Sequence, residues 1–441
     1  MSGWIPPRLR GLIGQDLDDV TPGSLENLVG IAEDTDLEFK AAEYETTEGQ
    51  AKEACYDVAG IANAGGGLLV IGMAEDGAGV ATALAPVDSS HNDFGLWIHQ
   101  VLASRVSPPV DVTHRSLAFG GDVVHLLGIG PSIYVPHSVA VGDGGMRFPI
   151  RTGTTRRWLS QVEAADLYRR RFEAFEDRSL ALDRIHGTAV DTVPGDERRE
   201  PWAWLILSLV PDFPGGLELR QGLVTEWRDF INQALREFPA YQRWDVDVSL
   251  GFLSLTVHDV YDPDAPIRQI GGRLQLDGSG LLLFGYVGGR NMIGARDDVV
   301  PIYDEHLLGD IVNGIRILAT HSVRSGSSGN GQVRAELVSS SLPMVLAQYR
   351  SRFPGELDGT KRVAETTGST SRTIPLAASS VQSSDLLGAA RMMVTDLGSA
   401  FGQPEPQQVT ADLQLRRSRF QRDWQPQLER WAEHAGVAIT E

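Results

Sequence analysis

Apolar and polar residues alternate with a period of two at Leu37-Glu38-Phe39-Lys40, which predicts a short strand. Leu37 and Phe39 would point to one face, Glu38 and Lys40 to the other. Ala51, Ala54, Cys55, Val58, Ala59 and Ile61 form the buried side of a helix predicted from Glu48 to Ala62. Asn63 and Gly65-Gly66-Gly67 then make a turn that needs permissive backbone angles. The all-apolar run from Leu68 to Met73 fits a strand covered on both faces. Further on, DFGLWIHQVLASRV is an amphipathic helix, PVDVTHRSL and DVVHLLGI alternate as a hairpin, and MRFPIRTGTT is a strand and turn. Thr21-Pro22 starts one short helix with proline in its first turn. Ser160 with Glu163 makes a capping box for another, running to about Arg178. Residues 1–20 read as an extended arm, stiffened by Ile5-Pro6-Pro7.

These elements complete one α+β domain, a mixed sheet with helices, over residues 1–180. Residues 181–200 have a linker's composition, and the pattern restarts as a second α+β domain over 201–441. There WAWLILSLV is a strand and TEWRDFINQALREF a helix. VDVSLGFLSLTVHDV and GRLQLDGSGLLLFGYVG are strands, and a long amphipathic helix begins at Asp304. Residues 332–341 read as a strand, Leu342 to Phe353 as a helix, and the Ser/Thr-rich ETTGSTSRTIPLAASSVQSS as a loop. DLLGAARMMVTDLGSAFG and Arg419 to His434 are helical, with VTADLQLR a strand between them. No period repeats, and this second half offers no constellation of chemistry.

A chain of 441 residues is long enough for two or three ordinary cores. No apolar run approaches the ~20 residues a membrane span requires, and the N-terminus lacks a signal-peptide pattern. The single cysteine, Cys55, cannot form an internal disulfide; a buried side chain in a cytoplasmic protein is the expectation. The net charge of −19 argues against a non-specific nucleic-acid coat, because such binders use a basic field. Any nucleic-acid contact must be a local patch of arginines on an acidic body. Lys40, Lys52 and Lys361 are the only lysines, a skew that a GC-rich genome explains without any function.

Glu33, Glu38 and Asp76 are the sharpest candidate constellation. Hydrolysis of a phosphodiester needs a cation that polarises the phosphate and activates water, and hard oxygen ligands hold such cations. Three carboxylates from two strands could bind Mg²⁺ or Mn²⁺, with Lys40 stabilising the charge that develops on phosphorus. The plainer alternative is that Glu38 and Lys40 merely pair on the strand, an interaction worth ~0–1 kcal/mol when exposed.

The ordered set Glu33, Leu37-Glu38-Phe39-Lys40, Ile61-Ala62-Asn63-Ala64-Gly65-Gly66-Gly67, Leu68-Leu69-Val70-Ile71-Gly72 and Asp76-Gly77 resembles the Schlafen-type AlbA_2 domain. Arg151-Thr152-Gly153-Thr154-Thr155-Arg156-Arg157 is similar to the segment that closes such domains, so the resemblance covers roughly the first 175 residues. In the nuclease branch of that family, two glutamates five apart and an aspartate after the glycine-rich strand cleave tRNA and rRNA. Glu33, Glu38 and Asp76 match that pattern, with Glu75 a neighbour that could replace Asp76. The resemblance therefore implies a metal-dependent endoribonuclease, in a role such as bacterial defence or stress. Family cores that fold two related lobes around RNA imply a homodimer here, since the chain has one copy. The alternatives are a non-catalytic DNA-binding regulator and a protein-interaction scaffold.

Arg147, Arg151, Arg156 and Arg157 are the candidate phosphate contacts, because the guanidinium fork matches phosphate oxygens. The Gly153-Thr154-Thr155 turn could add backbone N–H groups. Asn63 and the glycine run could also approach a phosphate, although tight entry into the next strand is their plainer role. A solvated turn with Arg151 bonded internally is the bland reading of the arginine group. No phosphate-binding P-loop and no zinc spacing of Cys and His is present.

Overall fold

The computed structural model describes residues 4–14, 16–88, 93–192, 202–240, 245–260, 270–287, 299–339, 342–347, 363–364, 366–403 and 405–441. The chain divides into two compact units, Met1–Glu176 and Asp177–Glu441, both mixtures of helix and strand.

The first unit begins with α1 (Pro7–Ile13), a 3₁₀ turn (Leu17–Asp19) and α2 (Pro22–Leu25). Within the segment expected as an extended arm, residues 7–13 and 17–19 are therefore helical. Proline is compatible with a first helical turn, and Leu9, Ile13 and Leu17 gain burial by coiling onto the sheet. Thr21 caps α2 through a reciprocal pair of bonds with Ser24.

β1 (Leu37–Lys40) leads through α3 (Glu48–Asn63) to β2 (Gly67–Ile71), and β1 and β2 pair in parallel. A kink at Gly72 (φ +101°) separates β2 from β3 (Met73–Glu75), which forms a hairpin with β4 (Ala81–Leu84). α4 (Phe94–Arg105) and the two-residue β5 (Val106–Ser107) precede the hairpin β6 (Val112–Phe119) and β7 (Asp122–Ile129). The main sheet has the order β1-β2-β7-β6.

Alternation settles what covers each face. Leu37, Phe39, Leu68, Val70, Val124 and Leu126 pack under the N-terminal helices. Leu69, Ile71, Leu127 and Ile129 pack under α3 and α4. The central β2 is accordingly buried at every residue. The glycine run has a steric cause: a Cβ on Gly67 would lie 2.6 Å from Ile61 Cγ2 and 2.7 Å from the Asp36 carbonyl. Gly66, at φ +93°, would meet the Ile129 carbonyl at 2.7 Å.

β8 (Ser138–Val141), β9 (Gly145–Arg147) and β5 form a small antiparallel sheet. β10 (Pro149–Thr152) and β11 (Thr155–Trp158) form a hairpin around Gly153-Thr154, with Arg151 opposite Arg156 and Pro149 opposite Trp158. α5 (Gln161–Thr192) starts at the expected Ser160–Glu163 capping box. It continues beyond Arg178 through residues 181–192, which were expected as linker. Leu182, Ile185 and Ala189 recur on one helical face and are buried, which holds those turns in place. The rest of the expected linker lies outside the described residues.

The second unit is built on a seven-stranded antiparallel sheet. Its strands are β12 (Trp202–Phe213), β13 (Val246–Gly251), β14 (Ser254–Asp259), β15 (Ile270–Gln275), β16 (Gly280–Val287), β18 (Ser328–Ser339) and β21 (Thr370–Pro375). Their order is β13-β14-β15-β16-β12-β18-β21. β12 presents Ala203, Leu205, Leu207 and Leu209 to the main core and Trp204, Ile206 and Val210 to the later turns of α5. α6 (Leu223–Ala234), α7 (Asp304–Arg324) and α9 (Ser384–Ser399) contribute to the main core, and α7 is buried nearly all round, not along one stripe only.

Two expectations change here. Met344–Ala347, expected as helix, is strand β19, which lies between β17 (Val300–Tyr303) and β20 (Val363–Ala364) with all four side chains buried. The remainder of that expected helix, from residue 348, lies outside the described residues. The Ser/Thr-rich stretch expected as loop supplies β21 and the short α8 (Leu376–Ser379). Thr370 and Ile374 face inward while Ser371 and Thr373 do not, so its β-branched alternation outweighs its polarity. The final helix is α10 (Gln425–Ala435), and the expected VTADLQLR strand is reduced to Leu415–Arg416.

Candidate functional site

β1 places Glu38 and Lys40 on the face covered by α3, as its alternation predicts. Lys40 Nζ lies 2.6 Å from Glu38 Oε1 and 3.3 Å from Asp57 Oδ2, the latter supplied by α3. Arg151 arrives from β10 between the two glutamates. Its Nη1 is 2.6 Å from Glu38 Oε2, its Nη2 is 2.8 Å from Glu33 Oε2, and its Nε donates to the Asp34 carbonyl. Glu33 Oε1 accepts from the Phe39 amide at 2.7 Å. On the far side of Asp57, Arg156 donates to Oδ1 at 2.6 Å and Tyr44 donates to Oδ2 at 2.8 Å. Arg156 also reaches Glu53, one helical turn before Asp57.

The carboxylates Glu33, Glu38 and Asp57 thus face Arg151, Lys40 and Arg156 in one network, which Glu53 joins at its more exposed end. Burial raises the pKa of Glu33 against the opposing pull of the Phe39 amide and Arg151. Burial, with Asp57 nearby, does the same to Glu38. Burial works against the charge on Lys40, but Asp57 and Glu38 outweigh it and raise its pKa. Burial and Asp57 hold the Tyr44 phenol well above its usual range.

The Asp76 carboxylate bonds none of these side chains, although its turn meets the network where the Glu33 amide donates to the Gly79 carbonyl. It is exposed at the β3–β4 turn, where Oδ1 accepts from the Ala78 and Val80 amides at 2.9 Å each, and those bonds lower its pKa. A divalent cation does not fit the residues so arranged. The oxygens of Glu33 and Glu38 are already bonded to Arg151, Lys40 and the Phe39 amide. Among the described residues, no three His, Cys, Asp or Glu side chains converge to hold a metal ion.

Asn63 is buried at the end of α3, where its side chain bonds the backbone just before β8 and at the start of β10. Its Nδ2 donates to the His137 and Pro149 carbonyls at 2.8 and 2.7 Å, and its Oδ1 accepts from the His137 amide at 2.6 Å. Its amide is spent inside the domain.

The outward arginines lie around the β10–β11 hairpin. Arg147 is exposed and sits 5.0 Å over the Trp158 ring. Arg156 lies 5.2 Å from the Tyr56 ring and 5.7 Å from that of Trp158. Tyr56 meets Trp158 edge-on at 4.9 Å. Arg157 forms an exposed pair with Glu163. Tyr56, Asp57, Glu53 and Trp158 were missed from sequence. The helical spacing of Glu53 and Asp57, four residues apart on one side of α3, was a usable signal, because Arg156 reaches both.

A second polar cluster lies in the same cross-strand row as Lys40, which runs through Ile71, His125 and Ser116. His125 Nδ1 lies 3.0 Å from His114 Nε2 and 2.9 Å from Ser116 Oγ, and its Nε2 lies 2.9 Å from Glu43. Phe94 stacks on His125, and burial together with His125 pushes the His114 pKa down to about 4.

Residues 33–160 match the family Schlafen, AlbA_2. The first unit therefore carries a Schlafen AlbA_2 domain, as its motifs imply; the match does not extend into the second unit. No curated protein matches the chain. Among solved structures, the DIP2311 protein from Corynebacterium diphtheriae is similar at 20% identity over 31% of this chain, with a TM-score of 0.22. The chain spans 27% of that protein's length. No helix among the described residues is long and apolar enough to cross a membrane.

Proposed function

We propose that the Schlafen AlbA_2 domain binds nucleic acid through the arginine-bearing surface of β9–β11, and that the Glu33–Arg151–Glu38 network holds that surface in place. The observation that carries this reading is Arg147, exposed over Trp158 and paired with no carboxylate among the described residues. Arg157 is held only by an exposed ion pair, which is worth little and is readily exchanged for phosphate. Arg151 and Asn63, by contrast, are committed inside the fold. A local patch of this kind also reconciles binding with the net charge of −19.

The finer reading, an endoribonuclease using Mg²⁺ or Mn²⁺, requires Arg151 and Lys40 to release both glutamates and Asp76 to leave its turn. Electrophoretic retention and cleavage of tRNA and of single- and double-stranded DNA, with Mg²⁺, Mn²⁺ or EDTA, separate the two. Retention of intact nucleic acid, weakened in Arg147→Ala and Arg157→Ala, is the expected result. Metal-dependent cutting lost in Glu38→Gln and Asp76→Ala would replace binding with catalysis. Neither retention nor cutting would leave a protein-interaction scaffold.

A further inference from the structure

Trp158 ends the strand that closes the domain, and it is 41% exposed although nothing in strand geometry requires an aromatic ring there. Its neighbours are organised around that ring. Tyr56 braces it edge-on from α3, and Arg156 lies against both rings. Arg156 is itself fixed by Asp57 and Glu53, so the Tyr56–Arg156–Trp158 group is anchored through the buried charge network and does not float on the surface. The remaining guanidinium over the indole, that of Arg147, comes from β9 of the small β5-β8-β9 sheet and has no carboxylate partner among the described residues.

A rigid exposed indole beside an uncommitted guanidinium has the two parts that unpaired nucleotides require. The ring offers a π-face to any base, and the cation meets the phosphate that follows it. A base pair in a duplex offers no such face, since its bases are stacked on their neighbours. Isolated exposed apolar residues are ordinary on protein surfaces, but an indole braced on one side by a tyrosine and overlaid by a guanidinium is not an isolated residue.

We infer that Trp158 is a stacking platform for an unpaired nucleobase, with Arg147 moving off the ring to take the adjoining phosphate. This rests on the nucleic-acid reading above and narrows it to single-stranded segments. The base stacks on the indole in place of the Arg147 guanidinium, so the cation–π contact is exchanged for an ion pair with phosphate, and no bond is made or broken.

Fluorescence anisotropy on the full chain tests this with three labelled probes of equal length: a single strand, an abasic single strand and a duplex. Wild type is expected to bind the base-bearing strand roughly tenfold more tightly than the abasic one. Trp158→Ala should remove most of the difference between base-bearing and abasic strands, while Trp158→Phe should keep much of it. Equal wild-type binding of base-bearing and abasic strands would overturn the platform while leaving phosphate binding intact, and this comparison needs no variant to fold. Trp158→Ala that folds and binds the base-bearing strand as wild type does would also overturn it. Failure of wild type to bind any probe would overturn the nucleic-acid reading and the platform with it.

Discussion

Arg151 Nη1 lies 2.6 Å from Glu38 Oε2, joining residues 113 positions apart in sequence with both side chains buried. The same guanidinium serves Glu33 and the Asp34 carbonyl. It fills the space where a cation would otherwise be needed to offset two glutamates.

Removing it leaves those carboxylates buried without their main partner. Arg151→Ala should destabilise the first unit by about 3–5 kcal/mol, the cost of breaking a buried ion pair from one side. Urea unfolding should show the loss, and Glu38→Gln in the same chain should recover part of it. An Arg151→Ala midpoint equal to wild type would remove the structural role assigned to this residue.

Asn63 is a fold residue on the same grounds. Asn63→Ala frees three buried backbone groups, at His137 and Pro149, and should cost roughly 2–4 kcal/mol. Asn63→Ala should weaken binding only insofar as it unfolds the domain. A stable Asn63→Ala protein with selectively lost binding would return the residue to the interface.

Arg147 should behave oppositely. Arg147→Ala should leave the thermal midpoint unchanged and lower the slope of log K against log salt by about 0.7 for a single strand. Titrations at several salt concentrations read that slope directly. An unchanged slope would mean that Arg147 meets no phosphate.

His114 in the first unit and Glu305 in the second should contribute pH dependences of opposite sense. His114 has its pKa lowered to about 4, so the unfolded chain takes up its proton first as pH falls through 6.5. Its contribution is present above 6.5 and is lost progressively down to about 4, by about 1–2 kcal/mol after allowance for partial exposure. Glu305 in α7 has its pKa raised to about 7 by burial, offset in part by the bond from Gln421. The folded state therefore holds its proton more tightly, and stability falls as pH rises from 4.5 to 7, by about 1–3 kcal/mol. Glu305→Gln should flatten that loss. Unfolding curves of wild type and Glu305→Gln between pH 5 and 8 check it, and parallel curves would contradict it.

Local pattern carried much of this fold. The alternation of β1, the helical spacing of α3, the helix start at Thr21-Pro22 and the capping box at Ser160 all appear where the residues place them. The Schlafen AlbA_2 motifs were legible for the same reason, being short and contiguous. The partners of the charged residues were not. Nothing near Glu33 or Glu38 in sequence announces Arg151, because the pairing depends on how β10 docks beside α3. Asp76 read as a third ligand because it follows the glycine-rich strand, yet its own turn offered two amides closer at hand. Polarity misled at β21, where tertiary pairing with β18 decided the outcome.

The β10–β11 hairpin turns through only Gly153 and Thr154, with Gly153 at φ +58°, and places Arg151, Arg156 and Trp158 on one side. Strand side chains change face with every residue, so one residue inserted at that turn would reverse β11 relative to β10. Arg156 would leave Asp57 and Trp158 would leave Tyr56 together. The length of this turn is therefore a coupling between the domain's internal charge balance and its outer surface: a change there cannot alter one and spare the other.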